Sequence, residues 1–202
     1  MGFTHTGRLF GMVTRFARWR VVGAMLGAVS AASALAQPSG TLVQWGASTL
    51  DQRQNAPAAA GPYKSIACGL YFSIALKEDG SLAQWGSTSN REGDNVPPTT
   101  GPYLEISAGA SHGLALRADG SLVQWGRVWD GQATGQPPTA GPYLAIAAGF
   151  YHNLALKPDG SLLQWGDTYY HQRTGIPPAA GPYVAIAAGA HHSLALRTDG
   201  SL

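Results

Sequence analysis

The sequence predicts an all-β chain built as propeller blades, and three observations predict it. Trp45, Trp85, Trp125 and Trp165 stand 40 residues apart, and Gly69, Gly109, Gly149, Gly189 and Asp79, Asp119, Asp159, Asp199 keep the same step. A period of this size without drift marks one supersecondary unit that buries its apolar face only against a neighbour. Each unit reads as short alternating strands around a glycine turn, with one tryptophan per unit. After residue 37 no stretch holds a 3.6-residue period, and 27 glycines and 13 prolines in 202 residues interrupt any helix.

Residues 1–36 lie outside the period. Arg8, Arg15, Arg18 and Arg20 come without an acid, then the apolar or small run VVGAMLGAVSAASALA, ending in the small-residue site Ala34-Leu35-Ala36. That order reads as a secretory signal peptide. The run is short for a bilayer span. The opening MGFTHT also fits a loose myristoylation pattern, which competes with the leader reading. The mature chain from residue 37 keeps nine Lys and Arg against 11 acids, near −2, although the whole chain carries +2. No basic patch is left for a nucleic-acid backbone.

The mature chain begins with a strand, GTLVQWG, at residues 41–46 and continues as units beginning near 63, 103, 143 and 183. In the third unit, Tyr143 to Gly149 forms a first strand and His152 to Lys157 a second, with Leu154 and Leu156 on one face. The tetrapeptide KPDG reads as a tight turn, Pro158 fixing φ and Gly160 taking a left-handed conformation. SLLQWG is the third strand, left at Gly166. A proline-rich stretch follows and holds at most a poor outer strand. The small residues of AIAAG suit a strand crowded near a propeller axis; a one-sided solenoid is the structural alternative.

The stretch Tyr143 to Gly166, YLAIAAGFYHNLALKPDGSLLQWG, closely resembles the repeat of the regulator-of-chromosome-condensation (RCC1-like) proteins. Its skeleton, AAG, a histidine, LAL, DG and WG, recurs with single-residue changes in the units starting near Tyr63, Tyr103, Tyr143 and Tyr183, the last of which is given only as far as DGSL. The resemblance implies a β-propeller, commonly of seven blades, and the compact unit looks like that of secreted bacterial members, some of which grip an enzyme through their loops. The motif histidine falls on His112, His152 and His192, with Phe72 in the first unit. These matches are scaffold positions and imply a fold, not an activity. Nuclear members bind chromatin and act on a small GTPase; no basic tail matches that role here, and export argues against it.

About four blades are present, so the ring is either incomplete or closed by Thr41 to Gly46 acting as the third strand of the last unit. Open blade edges would favour self-association. Cys68 is the only cysteine and stands where other units have Ala108, Ala148 and Ala188, so it reads as a small core residue.

Positions that vary between units are the binding candidates. After the tryptophan-glycine pair they include Arg127, Trp129, Asp130, Asp167, Tyr169, Tyr170 and His171, aromatics among charges on loops of a rigid scaffold. The recurrent histidines read as structural, tying adjacent strands through a backbone group; His171 and His191 do not recur and are the better functional candidates. No catalytic signature, metal set or cofactor motif is present. The expected function is a secreted or periplasmic protein-binding propeller. A carbohydrate-binding or carbohydrate-acting propeller and a structural segment of a larger surface protein are the alternatives.

Overall fold

The computed structural model describes residues 42–45, 53, 56–57, 61–87, 101–126, 141–167 and 181–201. Within them every regular element is a strand. β1 (Tyr63–Cys68), β2 (Phe72–Lys77) and β3 (Leu82–Gly86) form one antiparallel sheet. β4 (Tyr103–Ala108), β5 (His112–Arg117) and β6 (Leu122–Gly126) form the second, and β7 (Ala145–Ala148), β8 (His152–Leu156) and β9 (Leu162–Gly166) the third. β10 (Tyr183–Ala188) and β11 (Ser193–Arg197) make a two-stranded fourth. The three strands expected in the third unit are found, with β7 starting at Ala145 rather than Tyr143 and β8 ending at Leu156 rather than Lys157.

The sheets stack face to face in chain order, and the core lies between them. Ile106, Ala108, Ala115 and Trp125 of the second sheet pack on Ala67, Phe72, Ile74 and Leu76 of the first. One step on, Ile146, Ala148, Ala155 and Trp165 pack on Leu114 and Leu116. Each fully buried isoleucine is worth roughly 1.5–3 kcal/mol by removal from water. No single sheet has enough apolar surface of its own, which is why the period and the stacking go together.

Hydrogen bonds run with the same polarity. Trp85 Nε1 donates to Gln44 Oε1 at 3.1 Å, Trp125 Nε1 to Gln84 Oε1 at 2.5 Å and Trp165 Nε1 to Gln124 Oε1 at 2.8 Å. Each tryptophan thus reaches back to the glutamine one unit earlier. The buried Ala148 N–H donates to Ser107 Oγ at 3.0 Å across the second interface.

The DGS turns behave as the sequence predicts. Gly160 has φ of 78°, and its N–H donates to the Lys157 carbonyl at 3.0 Å. Asp159 Oδ1 accepts from the Ser161 N–H at 2.9 Å, and those serine donors hold the carboxyl below the usual carboxylate range. The turn also keys into the next unit, since the Gly160 carbonyl accepts from Tyr183 N–H at 2.9 Å.

Leu42–Trp45 shows no strand pairing. It lies against the first sheet, where Leu42 packs on Tyr63, Ala75 and Trp85. The pairing with the last unit expected for residues 41–46 is not seen: among the described residues β11 pairs with β10 alone. The outer strand expected after each tryptophan-glycine pair falls outside the described residues.

Candidate partner-binding site

Strand direction decides which loops meet. In each of the first three units the first strand ends in a tight turn, the second runs back to the DGS turn, and the third returns to the end where the tight turn lies. The chain therefore leaves each sheet beside its tight turn: Ser87 N–H donates to the Tyr71 carbonyl and Asp167 N–H to the Tyr151 carbonyl, both at 2.8 Å. Gly166, with φ of 115°, makes this exit possible; a Cβ there would stand 2.5 Å from the Tyr151 carbonyl oxygen.

Neighbouring tight turns are tied together by main chain. Leu70 N–H donates to the Ala110 carbonyl at 3.0 Å and Phe150 N–H to the Ala190 carbonyl at 3.3 Å. The turn positions vary between units: Leu70-Tyr71, Ala110-Ser111, Phe150-Tyr151 and Ala190-His191. At the third and fourth units the rings converge. Phe150 meets Tyr151 edge-on at 5.9 Å between centroids and His191 at 6.0 Å, and Tyr151 lies 6.1 Å from His191. Phe150 and Tyr151 are half-buried and His191 is exposed. Ala110 and Ser111 of the second unit are small and buried, a low place in the rank between the larger turns of the first and third.

Of the site residues expected from sequence, Asp167 is described, half-buried at the exit beside Tyr151. Arg127, Trp129, Asp130, Tyr169, Tyr170 and His171 lie outside the described residues. His191 joins the aromatic cluster. Sequence reasoning missed Phe150 and Tyr151, although the same unit-by-unit comparison, applied to the two residues after each AAG, would have found them.

The recurrent histidines are structural, with one correction. They tie adjacent sheets rather than adjacent strands, through side chains and, at His152, through the His192 backbone as well. His112 Nε2 lies 2.7 Å from Asn153 Oδ1, and His152 Nε2 lies 3.0 Å from Ser193 Oγ. Phe72, the apolar member of the series, has Gly113 at the corresponding place, so ring and partner change together. Burial pushes both histidines down to about 4, which keeps them neutral. Each ring lies over the glycine of its own tight turn; a Cβ on Gly109 would fall 2.1 Å from His112 Cε1. That glycine is present for space, not for its φ.

Glu105 is another residue that sequence reading passed over. It breaks a register otherwise held by Ser65, Ala145 and Ala185. It is buried in the second sheet, its Oε1 has no hydrogen-bond partner, and burial pushes its carboxyl up to about 7 against a donated Ile146 N–H. Among the described residues no three His, Cys, Asp or Glu side chains gather as a metal site.

Stacked antiparallel sheets joined in chain order define a β-propeller. No family model and no curated protein matches the chain. Solved structures do. The ectodomain of the receptor kinase CR4 of Physcomitrella patens superposes with a TM-score of 0.56 at 22% identity, over 68% of this chain and 38% of that one. The CRINKLY WD40 ectodomain of the Arabidopsis thaliana receptor kinase ACR4 gives 0.55 at 24%, over 68% and 46%. Prp20p of Saccharomyces cerevisiae gives 0.55 at 21%, over 69% and 43%. The fold is that of the RCC1-like propellers, and the chain spans less than half the length of these three structures.

Proposed function

We propose that the chain is a secreted or periplasmic protein-binding propeller whose contact surface is the rank of tight turns and strand exits. The observation that carries this reading is the convergence of Phe150, Tyr151 and His191 at positions that vary between units, on turns tied by main-chain hydrogen bonds. Aromatic anchors held rigidly lose little entropy on binding, and such residues dominate interface energetics. The chain leaves β6 at Gly126 and β9 at Gly166 from this same end, and the sequence-based candidates Arg127, Trp129, Asp130, Tyr169, Tyr170 and His171 follow these two exits in the chain. Structures of this fold support the reading: Prp20p is described with binding properties to Gsp1p and histones, and yeast RCC1 (Prp20) was crystallised bound to Kap60. Export rests on the leader at residues 1–36; among the described residues no helix is long and apolar enough to cross a membrane.

The test compares the chain with a Phe150→Ala, Tyr151→Ala double variant as immobilised bait for an extracellular fraction of its source. A protein retained by the first and lost by the second is then purified and its affinity measured by calorimetry. Each truncation at a true anchor costs roughly 1–4 kcal/mol of binding. Identical retention by both baits would refute the assignment of the surface.

A further inference from the structure

Among the described residues three contacts join the four sheets, and the middle one, between the second and third, is built unlike the other two. On β4, Glu105 and Ser107 face the third sheet, while Ile106 between them packs on the first. Both hold the edge of β7: the Glu105 carboxyl accepts the Ile146 N–H, and Ser107 Oγ accepts the Ala148 N–H at 3.0 Å. The corresponding pairs are Ser65 with Ala67 on β1 and Ala145 with Ala147 on β7, so the middle contact alone sets a carboxyl there. Glu105 is 7% exposed and its Oε1 has no hydrogen-bond partner. A charge in that place exchanges its water for one donated N–H.

No countercharge offsets this. β7 has no titratable side chain. β5 carries His112 and Arg117, β1 carries Tyr63, Lys64 and Cys68, and β2 carries Lys77. Tyr143 of the third sheet packs with Leu116, which is the β5 partner of Glu105. The Glu105 carboxyl answers to none of them, only to burial and the Ile146 N–H. Water reaches it when β7 moves off β4.

The same contact lacks ties that its neighbours have. Leu70 N–H donates to the Ala110 carbonyl and Phe150 N–H to the Ala190 carbonyl, but among the described residues no main-chain bond links the Ala110 turn to the Phe150 turn. The start of β7 is also held by less. Glu78, Ala118 and Thr198 each donate a main-chain N–H to the carbonyl of Pro62, Pro102 and Pro182, just ahead of the first strand of their own units. Pro158 holds that position in the third unit and has no N–H to give. There Leu144 N–H reaches the Leu156 carbonyl at 2.8 Å, and β7 pairs with β8 from Ala145, whereas β1, β4 and β10 pair from their tyrosines.

We propose that the contact between the second and third sheets is a pH-operated seam, closed in mildly acidic solution and opened locally, β7 leaving β4, when Glu105 ionises. Opening parts the rank of tight turns between Ala110-Ser111 and Phe150-Tyr151, because Ala148 and Gly149 run from β7 directly into the second of these. Burial pushes the carboxyl up to about 7, so the seam works across neutrality. The seam belongs to the chain itself; its effect on a partner rests on the proposed binding surface.

Amide hydrogen exchange on the full chain, followed by NMR in low urea, tests the seam with no partner present, so its result stands apart from that of the Phe150→Ala, Tyr151→Ala bait. Exchange through local opening is insensitive to urea, whereas exchange through global unfolding follows urea steeply. Between about pH 5 and pH 8 the protection of the Ile146 and Ala148 amides, corrected for the intrinsic rate, should fall roughly 10- to 100-fold through the urea-insensitive route. Amides of β5 and β8 should exchange through the urea-sensitive route. In Glu105→Gln, and in Glu105→Ala, which places there the residue found at 145 and 185, the fall should vanish. Equal protection at both pH values in wild type, a fall that survives both substitutions, or a urea slope at Ile146 and Ala148 equal to that of β5 and β8 would each overturn the proposal.

Discussion

Replacing Glu105 by glutamine keeps its shape and an acceptor for the Ile146 N–H while removing the charge that burial resists. Burial pushes the folded carboxyl up to about 7 from its ordinary value of 4.5. The folded state therefore holds its proton more tightly than the unfolded state. Stability from this group is full below pH 4.5 and is lost as pH rises through about 7. With about 1.4 kcal/mol per pKa unit, the loss between about pH 5 and pH 8 comes to roughly 2–3 kcal/mol. Glu105→Gln escapes it. Urea unfolding followed by tryptophan fluorescence should show the variant gaining roughly 2–3 kcal/mol over wild type at about pH 8 relative to its difference at about pH 5. Other titrating groups are common to both proteins and cancel. A change in that difference below about 0.5 kcal/mol would refute the claim that burial outweighs the Ile146 hydrogen bond at Glu105.

The histidines give the opposite sign: with folded values of about 4 against 6.5, His112 and His152 stabilise the protein fully above pH 6.5 and lose that contribution as pH falls toward 4. The pH slope of stability in that window should fall by about one proton when His112 is replaced, as read from urea midpoints. His112→Phe alone leaves Asn153 facing a ring without a donor and should cost about 1–3 kcal/mol, whereas adding Asn153→Gly restores the Phe72 and Gly113 arrangement and should recover most of it in the same assay. Gly160→Ala should destabilise more than Gly200→Ala in thermal unfolding. Both glycines have positive φ, but only at Gly160 would a Cβ meet Pro182 Cβ, at 2.5 Å, while Gly200 has nothing within 4 Å; equal losses would mean that φ alone matters.

The fold was legible because its signals are local and repeated. Trp125 marks a third strand and the DGS turn a hairpin whatever surrounds them, and a 40-residue step turns four weak readings into one firm one. What the sequence hid lies between units. The glutamine before each tryptophan recurs as plainly as the tryptophan, yet its partner is a tryptophan one unit away, at a separation no periodicity points to. The histidines were readable as structural but not as links between sheets, since Asn153 and Ser193 occupy one position with different side chains. The candidate site was half legible. The long variable loops attract attention by their length, while Phe150 and Tyr151 hide inside a motif that otherwise repeats.

The matching of each ring to a residue 41 positions later has a consequence for how such a chain can lengthen. A duplicated third unit would follow itself with His152 facing a copy of Asn153, the same pair of groups that His112 and Asn153 now make. A duplicated second unit would set His112 against a copy of Gly113 and strand a buried imidazole without an acceptor. Copying is therefore tolerated at one unit and penalised at its neighbour, although the two share most of their strand residues. Unit order in this chain is a syntax, and an array built by gene duplication should preserve it.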